Sequence, residues 1–322
     1  MTGGQVALHI LSGAAAMALA ILLWASARGS SRRGAEAQGA DRRDTAGGEA
    51  VAPVLSRIGA PLLLATAWGA GHAARLGEPG WNAGEDQAFW VALAALPLAV
   101  IAELGPRRDL LRSLLIPLLL AGAFAYLVVI PGVRSEWRDA VREQWIAGVA
   151  IGFAGFAYFL AALREGAVAR GFSWPARLIV SAGAVGGIAV LSSYAKLTES
   201  SAVLAAVLIP PVLVLLLARD ARLGAGASLV AASILASLLA GAFLQTFASD
   251  RAPSWSFILV ASGLLVSALG APRRGRSSRW REVLRWTIFV GLFAAGILLA
   301  IYAKPKESHD PELDKWMEMY DG

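Results

Sequence analysis

Runs of about 18 or more apolar residues, long enough to cross a bilayer as a helix, recur ten times along this chain. They lie at approximately 6–27, 54–74, 87–104, 110–130, 144–163, 176–195, 200–218, 224–247, 254–270 and 283–303. With 57% hydrophobic and only 16% charged residues, the chain falls well short of the roughly 25% charge usual in soluble domains. A soluble core could not keep this much apolar sequence out of water. The pattern predicts an all-α polytopic transmembrane helical bundle of about ten spans, a multi-pass protein of the plasma (inner) membrane whose first partner is the lipid bilayer. The first run has no basic segment before it, so it reads as a mature helix rather than a cleavable leader.

Lys and Arg set the orientation, because cytoplasmic segments retain them. With the N-terminus outside, the inward segments hold 20 of the 29 basic residues and 9 of the 23 acids. Ten crossings then put both termini outside. The basic isoelectric point near 10 follows from that asymmetry, and no nucleic-acid partner is expected. The chain has no cysteine, which excludes disulfides, thiolate metal sites and thiol nucleophiles.

The expected organisation is a membrane domain over 1–303 and a tail over 304–322. Residues 28–53 are small, polar and rich in both charge signs, and read as a flexible cytoplasmic linker. In the tail, Asp310 can cap a helix that begins at Pro311. Leu313, Trp316, Met317 and Tyr320 then fall on one stripe of an acidic helix. Such a stripe needs a surface: the membrane interface, the protein's own outer loops, or a protein partner.

The most polar stretch inside the apolar sequence is SSYAKLTESSAVLAAVLIPP, residues 192–211. Lys196 and Glu199 fit the tip of a short hairpin between two helices, with no special role. Pro210 and Pro211 fall about mid-span, where two missing N–H groups kink or break a helix, as at transporter binding sites. The preceding helix offers Ser181, Gly183, Gly186 and Gly187, whose small size permits close approach. These residues, with Ser192, Ser193, Pro210 and Pro211, form the candidate substrate-binding set, and a cavity reaching Pro210 is expected; a packing kink is the plainer alternative.

His9 and His72 lie near the outer ends of the first two helices and are the weak candidates for a metal pair; ordinary interfacial histidines explain them equally simply. No metal, cofactor or catalytic residue is predicted. No ionisable group sits at the centre of a span, which argues against a charge-coupled pump. Glu85 and Asp86 read as a solvated pair in the first outer loop, and Glu103 as the deepest acid. No P-loop, H-E-x-x-H or G-x-S-x-G occurs. Two roles fit this inventory. One is a permease-like or lipid-handling protein that takes a small molecule or lipid between helices six and seven. The other is a non-catalytic membrane subunit or scaffold docking through its outer tail.

Overall fold

The computed structural model describes residues 3–36, 51–77, 86–104, 110–130, 152, 156, 173–191, 194–218, 223–249, 255–269 and 279–302. The described residues form nine α-helices and no strand: α1 (Gly3–Glu36), α2 (Val51–Leu76), α3 (Gln87–Leu104), α4 (Leu110–Phe124), α5 (Ser173–Leu191), α6 (Ala195–Leu217), α7 (Ala225–Ser249), α8 (Trp255–Leu269) and α9 (Arg279–Tyr302). A π-helical turn, Ala125–Val129, continues α4.

Five helices contain a stretch long and apolar enough to cross a membrane: Gly4–Ala25, Trp174–Leu191, Ala195–Leu217, Ala225–Leu244 and Val283–Tyr302. Three more apolar helical stretches are shorter: Gln87–Glu103, Leu118–Val128 and Trp255–Val266. Of the expected run 144–163, only 152 and 156 are described, and both are helical. Helix α1 extends to Glu36 and α2 starts at Val51, so the described ends of the 28–53 segment are helical, while 37–50 lie outside the described residues.

Helix α7 is the centre of the bundle. Every residue from Gly226 to Ala242 is buried, as expected of a helix that is apolar all round. It touches α2, α3, α5, α6, α8 and the π-turn. Its sequence explains the position: Ala, Gly and Ser alternate with Leu, Val and Ile (ASLVAASILASLLAGA), and small residues let neighbouring backbones come close where lipid supplies no hydrophobic drive. A Cβ on Gly226 would lie 2.7 Å from the Ala99 carbonyl oxygen of α3. Glu103 of α3 completes this contact, its Oε1 accepting the Gly226 N–H at 2.7 Å. The carboxylate thereby takes up one of the orphan donors at the α7 N-terminus, where negative charge is also favoured by the helix dipole.

The remaining helices wrap this centre. Helix α1 packs on α2 and α6, α5 pairs with α6, and α8 pairs with α9. The side chain of Arg177 on α5 is fully buried; its guanidinium sits 5.0 Å from the Trp286 ring centroid of α9, a cation–π contact that joins the two helices. Helix α5 ends at Leu191 and α6 begins at Ala195, with the Tyr194 N–H donating to Ala189 O at 2.8 Å; Lys196 and Glu199 therefore lie in the first turns of α6 rather than in the connection. Gly77, with φ of +89°, closes α2 by donating its N–H to Ala73 O, a left-handed helix stop that glycine adopts without strain.

Candidate functional site

Two features stand out where α1, α2, α3 and α6 meet: a polar cluster and a groove.

The cluster has His72 at its centre. The last turns of α2 carry Trp68 and His72 on one face, four residues apart, and that face meets α3 and α6. His72 is fully buried. Its Nε2 lies 3.2 Å from Asp86 Oδ1, and its Nδ1 lies 3.2 Å from Ser200 Oγ. Asp86 sits at the start of α3, where its carbonyl accepts the Phe89 N–H. Ser200 lies on the second turn of α6, and its carbonyl accepts the Trp68 indole N–H at 3.4 Å. The Trp68 and Phe89 rings flank the imidazole, with centroids at 5.0 and 6.1 Å. Asp86 is therefore largely buried against a histidine rather than solvated with Glu85 as the sequence suggests. Adjacency in sequence hides the fact that Asp86 starts a helix and turns inward.

Ser200, His72 and Asp86 follow the order of a nucleophile, base and orienter. Ser200, however, is 1% exposed, and none of the three lines the groove or the smaller cavity beside Tyr194. The cluster does what buried polar groups do when each finds a partner: it ties α2, α3 and α6 at one register. Both His72 ring nitrogens have protein partners, and His9 lies across the groove on α1; among the described residues no group of His, Cys, Asp or Glu could hold a metal ion.

The groove lies on the other side of the α2–α6 contact. It has a volume of about 570 Å³ and is lined by α1, α2 and α6, within the range usual for ligand pockets. One end is polar, with His9, Arg75, Thr198 and Glu199; the other is apolar, with Ala16, Met17, Ala206, Val207 and Pro210. Small residues make the space. A Cβ on Gly13 would meet nothing within 4 Å, whereas one on Gly71 would crowd Val203 and Ser12 at 2.7 and 2.8 Å, so α1, α2 and α6 pack tightly at Gly71 and leave open space beside Gly13. Ser12 is buried and donates to Ala67 O at 2.6 Å, which holds α1 against α2 at the groove wall.

Of the candidate set, Pro210 lines this groove. Pro211 is buried, and α6 runs as one continuous helix through both prolines rather than breaking. Helix α5 contributes nothing to the groove lining. Ser181 is buried and donates to Arg177 O within its own helix. Gly186 packs on α6, beneath the Thr198 hydroxyl that donates to its carbonyl at 3.3 Å. Gly183 and Gly187 face open space. Ser192, Ser193 and the stripe of Leu313, Trp316, Met317 and Tyr320 lie outside the described residues. The groove partner of Pro210 is thus α1, the most distant helix in sequence, which its apolar run did not single out.

No known protein family, curated protein or solved structure matches the chain.

Proposed function

We propose that this is a lipid-handling membrane protein that takes a long-chain amphiphile into the groove between α1, α2 and α6. The observation that carries the proposal is the groove's division into a polar end and an apolar end. A headgroup would meet Arg75, His9 and Glu199, and an acyl chain would lie along Ala16, Met17, Ala206 and Val207. Hydrocarbon buried this way gains transfer free energy only if the groove is wet when empty, so headgroup contacts and shape supply the selectivity. The same proposal includes ten crossings, both termini outside and residence in the plasma membrane, on the strength of the Lys and Arg distribution.

The direct test fills the groove. Gly13→Leu adds a side chain into open space at the groove wall, so the fold should tolerate it while ligand is displaced. Protein purified in mild detergent is expected to carry or bind a spin-labelled fatty acid, and the Gly13→Leu protein to bind it at least tenfold more weakly. Equal binding by the two proteins would sink the groove as the site. Orientation has its own test, made clean by the absence of native cysteine: a single cysteine placed in 37–50 should resist membrane-impermeant maleimide on intact cells and react after lysis. Labelling on intact cells would reverse the topology.

A further inference from the structure

Pro210 and Pro211 have no N–H, so the carbonyls four residues earlier, Ala206 and Val207, have no i+4 donor within α6. Both of those residues line the groove, together with Pro210. A backbone carbonyl facing hydrocarbon without a donor is unfavourable, and helices that carry proline in membranes find a substitute in a neighbouring hydroxyl, a water or a ligand. The hydroxyls that line the groove are already committed. Ser12 donates to Ala67 O, and Thr198 lies within hydrogen-bond reach of two other carbonyls, Tyr194 O and Gly186 O. The donors His9 and Arg75 stand at the opposite, polar end. From Glu199 to Ala206 or Val207 is seven to eight residues along α6, roughly 11 Å at the helical rise.

The geometry points to a ligand with two polar groups: a headgroup for the Arg75 end, and a hydrogen-bond donor roughly 11 Å further along its chain that reaches the Ala206 and Val207 carbonyls. The class this describes is a long-chain acyl compound bearing a mid-chain hydroxyl or amide N–H, rather than a plain saturated chain. The inference rests on the groove being the lipid site and specifies what that site prefers. It also gives the double proline a role that does not require a broken helix: the ring pair strips two consecutive donors while the helix continues.

The test compares 10-hydroxyoctadecanoate with octadecanoate as competitors of a spin-labelled fatty acid on the purified full-length protein. The wild type should favour the hydroxylated chain by about tenfold, the effect of one additional hydrogen bond. The Pro210→Ala/Pro211→Ala protein regains both N–H groups, so its carbonyls are satisfied within α6; whatever its overall affinity, the ratio between the two competitors should fall to about one. Restoring helical hydrogen bonds favours folding, and an unchanged gel-filtration profile and helical circular dichroism would verify it. Equal competition by both chains in the wild type, or an undiminished preference in the double variant, would overturn this inference and leave the groove reading standing. Failure of either chain to compete in the wild type would overturn the groove reading and this inference with it.

Discussion

His72→Leu is expected to destabilise the folded protein by about 3 kcal/mol, near the lower end for breaking a buried pair by removing one partner. Leucine fills much of the imidazole's volume, so the loss comes mainly from the groups left behind. Asp86 and Ser200 are 7% and 1% exposed; without the ring each loses one hydrogen-bond partner 3.2 Å away and has little access to water to replace it. A buried hydrogen bond lost without replacement costs about 1–3 kcal/mol, more if one partner is charged. A double-mutant cycle isolates the pair. Asp86→Asn keeps an acceptor at the start of α3 but removes the carboxylate, and the double variant should be more stable than the sum of the two single changes implies, by about 1 kcal/mol or more. Reversible unfolding in mixed micelles provides the measurement. Single variants that each remain within 0.5 kcal/mol of wild type, with no coupling, would show that the cluster does not hold α2, α3 and α6 together.

The cluster and the groove differ in how much of each the sequence reveals. Apolar run lengths identify α1, α5, α6, α7 and α9 as long apolar helices, because an 18-residue window averages over local detail. Proline chemistry singles out Pro210, since a residue without an N–H must disturb its surroundings wherever it lies, but the groove beside it is not the one expected between the 176–195 and 200–218 runs. Its walls are not foreseen: which helix faces Pro210 depends on packing between elements almost 200 residues apart, and α1 and α5 offer equally small residues. A separation of 128 residues likewise hides Ser200 from His72. Each is unremarkable in its own segment, and a serine on an apolar helix satisfies itself on its own backbone as readily as on a histidine. Asp86 carried a usable signal, standing immediately before the third apolar run where helix caps belong; its neighbour Glu85 made the pair look like an ordinary solvated loop. Glu103 carried another. A carboxylate at the C-terminal end of α3 opposes that helix's own dipole, and a placement so unfavourable locally implies a compensating donor elsewhere, which proves to be the Gly226 N–H.

That contact sets the second large effect. Gly226→Ala should destabilise the protein by about 2–3 kcal/mol, at the upper end for overpacking a tight interface. The added methyl would lie 2.7 Å from the Ala99 carbonyl oxygen, 3.2 Å from its carbon and 3.0 Å from Glu103 Cγ. The first two are backbone atoms and cannot rotate away, so α3 and α7 must separate. Separation also weakens the Glu103 cap, since the Cβ and the hydrogen-bonded N–H belong to the same residue. The usual helix preference for alanine over glycine, about 1 kcal/mol, acts in the opposite direction and is too small to offset the clash. Gly122 and Gly291 provide the control: a Cβ on either would meet nothing within 4 Å, so alanine there should leave stability unchanged or raise it by up to about 1 kcal/mol. If Gly226→Ala behaved like the controls, α3 and α7 could not be in the close contact described, and the buried position of α7, on which the arrangement of α2 and α6 around the groove depends, would need to be redrawn.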